Sequence, residues 1–158
     1  MIFVTLGTQK FPMNRLIDEI DNLIEKGNIN SNEIIIQNGY SKNSKYGKNH
    51  KLMDEDEFQR VMKNSEIVIC HGGTSSIIKA LVASKKVIAV PRRAEFNEHV
   101  DNHQSEIVDT FYEKGFIEKL EDVKDLGEML IKINSIEFNK YTPSGKLAQF
   151  IVANLDEF

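Results

Sequence analysis

The chain has one cysteine, three prolines and no long apolar run. One cysteine excludes an internal disulfide and points to a reducing cytoplasm. No stretch approaches the ~18 consecutive apolar residues of a membrane-spanning helix. Met1 leads straight into Ile2-Phe3-Val4 with no basic segment before it, so no signal peptide is expected. Membrane association is therefore expected only through a partner or a surface patch. An excess of positive charge is also missing. The 20 Lys and Arg face 24 Asp and Glu, the net charge is −4, and the pI is about 5.6. That balance argues against nucleic acid as a partner. Two nucleotide-binding signatures are absent as well. The turn Gly7-Thr8-Gln9 lacks the G-x-G-x-x-G spacing, and no Walker lysine pattern occurs.

What is present suits one globular domain, residues 1–158, with 41% hydrophobic and 28% charged residues. Ile2–Leu6 reads as a buried strand closed by Gly7. Pro12 stands near the start of a helix with Leu16, Ile17, Ile20, Leu23 and Ile24 on one face, ended by Gly27. Ile34-Ile35-Ile36 is the second strand, and the polar, glycine-punctuated segment 39–50 reads as a mobile surface loop. Asp54 and Glu57 resemble a capping box ahead of Phe58, Val61 and Met62. A strand at 66–70, a glycine turn, a helix at 74–84 and a strand at 87–90 follow, the last stopped by Pro91. Asn97 predicts the cap of a helix running to about Lys114, with Gly115 ending it. A short strand at 116–118 and a helix at about 123–133 come next. Thr142-Pro143 opens a last amphipathic helix, 142–156, with Leu147, Phe150, Ile151 and Leu155. That helix either packs on its own domain or docks a partner.

Strands alternating with helices predict an α/β fold, a Rossmann-like parallel sheet with helices on both faces. Ligands of such sheets sit at the carboxyl ends of the strands. Three loops would gather there: 7–11, 71–76 and 91–98.

The segment Cys70-His71-Gly72-Gly73-Thr74-Ser75-Ser76 is the most informative. It joins an apolar strand to a helix start, where unpaired N–H groups and the positive end of the helix dipole favour an anion. Glycines let a phosphate approach. The same residues also make an ordinary strand-to-helix turn. Cys70 reads as a buried strand end rather than a nucleophile. His71 is either a structural hydrogen-bonding histidine or a catalyst. Glu98-His99-Val100-Asp101-Asn102-His103-Gln104 crowds polar side chains into what reads as a helix start. His99, His103 and His71 invite a zinc reading, but no further ligand is convincingly placed, so no metal is expected. Arg92 and Arg93 could supply cations to a diphosphate.

Together, His71-x-Gly73-x-x-Ser76, Pro91 and Asp101-Asn102-His103-Gln104 resemble the nucleotide-sugar-binding half of GT-B glycosyltransferases, of the family 28 C-terminal type. The start Phe3-Val4-Thr5-Leu6-Gly7-Thr8 fits as well. The resemblance is greatest to the small catalytic subunits of two-part UDP-sugar transferases, of the dolichol pathway and of bacterial exopolysaccharide and capsule synthesis. It implies a single GT-B half-domain with a UDP-sugar donor and no required cofactor. It also implies a membrane-anchored partner subunit that supplies the acceptor half and meets a lipid-linked acceptor, with this chain cytoplasmic at the membrane's inner face. In that frame Gly7, Thr8 and Gln9, with Gly72, Gly73, Thr74, Ser75 and Ser76, would face the donor diphosphate, and His71 would sit beside it as the candidate catalytic group. Pro91, Arg92 and Arg93 would lie by the uracil and ribose. Asp101, Asn102 and Gln104 would contact the donor sugar or its phosphate. One position departs from the pattern. Where the wider family carries a ribose-binding carboxylate, this chain has Lys79, which can donate but cannot accept.

Overall fold

The computed structural model describes residues 1–143. Six strands are present among them: β1 (Ile2–Thr5), β2 (Ile34–Gln37), β3 (Lys48–His50), β4 (Ile67–His71), β5 (Lys86–Val90) and β6 (Glu118–Lys119). They form one sheet in the order β3-β2-β1-β4-β5-β6, with every pair parallel. The helices are α1 (Asn14–Glu25), α2 (Glu55–Asn64), α3 (Thr74–Val82), α4 (His103–Glu113) and α5 (Leu126–Lys132).

Alternation along the strands sorts two cores. Val4, Ile36, Ile69 and Ile88 pack beneath α1 and α5, against Leu16, Ile17, Ile20, Leu126 and Met129. Phe3, Val68, Cys70, Val87 and Ala89 face the other way, against Phe58, Met62, Ile77, Ala80, Ile107 and Phe111 of α2, α3 and α4. Successive side chains of a strand point to opposite faces, so a nearly continuous apolar strand serves both layers. The chain is thus α/β and Rossmann-like. The strand order turns back between β1 and β4, which opens a crevice at their carboxyl ends.

The cap at Asp54 forms as expected, its carboxylate accepting from the Glu57 N–H at 2.8 Å. Asp54→Ala is expected to lower stability by ~1 kcal/mol, read from chemical denaturation.

Two expectations are corrected. Segment 39–50 is not loop throughout. It ends in β3, and its turns are fastened by side chains. The Asn38 amide donates to Ser41 O and Asn43 Oδ1, Asn49 donates to Ser44 O, and the Met13 N–H donates to Ser41 Oγ. The Ser44 hydroxyl donates to buried Asp21, whose carboxylate also accepts the Lys45 N–H. Asparagine and serine side chains here replace the helix that usually completes a parallel crossover. Nor does Asn97 cap a helix. It sits at φ 58° and closes a short 3-10 turn, Ala94–Phe96, and α4 starts only at His103. Asparagine tolerates that left-handed conformation. The helix expected over 142–156 lies, from residue 144 onward, outside the described residues.

Candidate functional site

A cleft of about 290 Å³ opens at the carboxyl edge between β1 and β4. Gly7, Thr8 and Gln9 form one wall, and His71, Ser75 and Ser76 form the second. Thr5 and Gln37 line it too, joined by a hydrogen bond of 2.9 Å from the Thr5 hydroxyl. Met53 ahead of α2, Glu55 and Phe58 within it, and Lys79 of α3 complete the lining. Gly73 is the residue preceding α3, so the first turn of that helix starts at the cleft.

His71 organises the centre. Its Nδ1 accepts the Gly73 N–H at 3.1 Å and lies 3.4 Å from the Gln104 side-chain nitrogen. With Nδ1 an acceptor, the proton of the neutral ring belongs on Nε2. That atom lies 3.4 Å from Ser76 Oγ and packs against Gly7, where a Cβ would come within 2.6 Å of it. Burial above all, and then the positive charge of Arg92, pull the His71 pKa down from 6.5 to about 3. The ring is therefore neutral near pH 7. Its Nε2–H can donate to an anion in the cleft, and it is poorly suited to take a proton there.

A stability signature follows from this shift. The unfolded histidine binds a proton below pH ~6.5, whereas the folded one resists protonation down to about pH 3. Stability contributed by neutral His71 is therefore intact above that window and is lost as pH falls through it, by at most ~1.4 kcal/mol per pH unit. Denaturant unfolding between pH 6.5 and 5 is expected to show this slope in the wild type and a shallower one in His71→Asn.

The expected site residues divide by location. Gly7, Thr8, Gln9, His71, Ser75 and Ser76 line the cleft. Gly72 and Gly73 form the turn beneath it, and Gly72 is pressed so closely on α4 that a Cβ would meet Gln104 Cβ at 2.9 Å. Thr74 is fully buried, and its hydroxyl has no partner. Gln104 is fully buried behind the cleft, accepting the Arg92 N–H at 3.0 Å while its nitrogen faces His71. It braces the histidine from behind.

Pro91, Arg92 and Arg93, expected beside a nucleoside, are not among the residues lining this cleft. Pro91 and Arg92 are buried, and the Arg92 guanidinium donates to the carbonyls of Leu6, Phe11 and Glu98. Arg93 faces Glu95 at 3.6 Å. Asp101 and Asn102 are exposed and shape their own loop. The Asp101 carboxylate accepts the His103 N–H at 3.0 Å, and Asn102 Oδ1 accepts the Ala94 N–H at 2.9 Å. His99 and His103 are each paired with an acid, Asp101 and Glu106. Among the described residues no three His, Cys, Asp or Glu gather as a metal site. Cys70 is fully buried, and burial pushes its thiol up to about 12, so it is not a nucleophile.

The lining residues missed from sequence are Thr5, Gln37, Met53, Glu55 and Phe58. Lys79 lies 3.6 Å from the Glu55 carboxylate and 4.9 Å over the Phe58 ring. The Gln59 amide and then Lys79 lower the Glu55 pKa, keeping it a carboxylate. A carboxylate thus faces the cleft close to Lys79, but from α2.

This geometry offers an anion seat at a helix start, a fixed N–H donor, and a wall of mixed apolar and charged character. Against models of protein families, residues 1–157 match that of the glycosyltransferase family 28 C-terminal domain. The chain belongs to that family. No curated protein matches the chain. Sugar transfer of the glycosyltransferase type is the activity the family carries. Among the described residues no helix is long and apolar enough to cross a membrane.

Proposed function

We propose that this chain is the donor-binding and catalytic subunit of a two-component glycosyltransferase. It moves a hexose or N-acetylhexosamine from a UDP-sugar to a lipid-linked acceptor in exopolysaccharide or capsule synthesis. The observation that carries the reading is the cleft itself, with the start of α3, the Gly7 turn and the neutral His71 donor converging on one anion-sized seat.

In this reading the diphosphate rests on the Gly73–Ser76 N–H groups and the Ser75 and Ser76 hydroxyls. The nucleoside extends towards Met53, Glu55 and Phe58, where apolar surface meets a carboxylate that can accept from sugar hydroxyls. The donor sugar points towards the exposed Asp101 and Asn102 at the start of α4. The acceptor hydroxyl attacks the anomeric carbon, the bond from that carbon to the diphosphate oxygen breaks, and UDP departs. Charge that develops on the diphosphate is met by the helix start and by His71 Nε2–H, without a cofactor. The base that takes the acceptor proton comes from a membrane-anchored partner. That partner also presents the lipid-linked acceptor and holds this chain at the inner face of the membrane.

Lys79 favours a second reading, a nucleotide-sugar-binding module without transfer activity. Calorimetry with UDP, UDP-sugars and other nucleotides tests the shared part. Selective UDP binding is expected, and its absence at high nucleotide concentration would remove both readings. Sugar transfer that appears only when the partner membrane protein is added supports the first. Selective binding with no transfer in the presence of that partner supports the second.

A further inference from the structure

Arg92 is buried to 1% exposure, yet no carboxylate is bonded to its guanidinium. The nearby Glu98 carboxylate is taken by Arg15, through two bonds of 2.8 and 2.9 Å, and by the Arg93 N–H at 3.1 Å. The guanidinium instead spends its donors on three backbone carbonyls. One terminal nitrogen reaches Leu6 O. The other reaches Phe11 O and, at 3.2 Å, Glu98 O. Its Nε has no acceptor.

Leu6 and Phe11 flank the Gly7–Lys10 segment, whose Gly7, Thr8 and Gln9 form one wall of the cleft. A buried charge is costly unless hydrogen-bonded, so a cation held by carbonyls alone fixes those carbonyls firmly. The backbone N–H of the same arginine is held by Gln104, whose amide nitrogen approaches His71. One residue thus ties the β1 loop, the end of β5 and the start of α4 together behind the cleft.

We propose that Arg92 is a positioning residue that clamps both ends of the Gly7–Phe11 loop and so holds the cleft wall against His71. The role in ligand binding rests on the nucleotide reading given above; the clamp itself does not. Only a planar fork can serve Leu6 O and Phe11 O at once, so lysine retains the charge without the clamp.

Arg92→Lys and Arg92→Gln test this through the backbone ¹⁵N order parameters of the unliganded protein, together with UDP calorimetry. Both variants are expected to lower the order parameters of residues 7–11 while those of β4 and α3 keep their wild-type values. UDP affinity should fall about tenfold in each, the loss of a charged hydrogen bond's worth of organisation. Wild-type order in the 7–11 loop of Arg92→Lys would overturn the proposal. So would a loosening spread equally over loop and core, which marks general destabilisation. If Arg92→Gln does not fold, Arg92→Lys decides alone. If the wild-type protein takes up no UDP, the nucleotide reading fails, and the loop order parameters still decide the clamp.

Discussion

Replacing Gly7 with alanine is expected to remove UDP binding from a protein that still folds. Gly7 adopts φ +72°, and a Cβ built there would lie 2.6 Å from His71 Nε2 and 3.2 Å from two ring carbons. The left-handed backbone alone costs an alanine ~1–2 kcal/mol. The larger effect is local. The imidazole cannot back away, because its far side is held by the Gly73 N–H and faces the Gln104 amide. The methyl must therefore displace the Gly7 turn or cover the one N–H that the ring offers the cleft. Loss of that donor and displacement of the turn, ~3 kcal/mol on the bound state, correspond to roughly hundredfold weaker binding, whereas the backbone strain falls on free and bound protein alike. Gly27→Ala is the matched control. Its φ is +79°, but a Cβ there meets nothing within 4 Å. It bears the backbone strain alone, so calorimetry should find its UDP affinity unchanged. Equal affinities in the two variants would show that the contact between Gly7 and His71 is irrelevant to binding.

Gln104→Ala is expected to act on both stability and binding. The side chain is fully buried and serves two groups, the Arg92 N–H and His71 Nδ1. Its removal leaves a buried N–H without an acceptor, which costs ~1–3 kcal/mol. On the Nδ1 side the imidazole then keeps only the Gly73 N–H, and UDP affinity should drop by about tenfold or more, the equivalent of one lost hydrogen bond. Ring ¹⁵N shifts supply an independent readout. The wild type should show the Nε2–H tautomer alone, and Gln104→Ala a mixture. A variant with normal stability and normal UDP affinity would assign Gln104 no role behind the histidine.

The parts of the site that lie next to each other in sequence were legible in it. Cys70–Ser76 announces a buried strand, a glycine turn and a helix start, and those elements are present. Cys70 is buried because a strand between two helical layers leaves it no other surface. What escaped the sequence depends on remote partners. β3 is only Lys48-Asn49-His50, polar and at the sheet edge, so it shows neither the apolar run nor the alternation that marks a strand. Without β3, nothing indicated that the following turn returns to the carboxyl edge and brings Met53, Glu55 and Phe58 to the cleft. Asp54 marked the start of α2 correctly, but a capping pattern carries no information about which crevice a helix faces.

Arg92 and Arg93 illustrate the same point. As neighbours in sequence they look equivalent, two cations in a charged loop. In the fold one is sealed behind the cleft by carbonyls of Leu6 and Phe11, over 80 residues away, while the other meets Glu95 at the surface. Local chemistry could not separate them, because burial of an arginine is decided by acceptors that only the tertiary structure brings near. Lys79 is a related case. Read alone, it removes an acceptor from the cleft. In the fold it lies beside the Glu55 carboxylate, so an acceptor is present on the facing helix.

The most direct test of a nucleotide seat at the β1–β4 crevice is amide chemical-shift mapping of the ¹⁵N-labelled protein with UDP. The largest shifts are expected at Gly7–Gln9, Gly73–Ser76 and the His71 ring, with smaller ones at Met53 and Glu55. No shift at saturating UDP, or shifts confined to residues 93–103 with the glycine turn undisturbed, would contradict it.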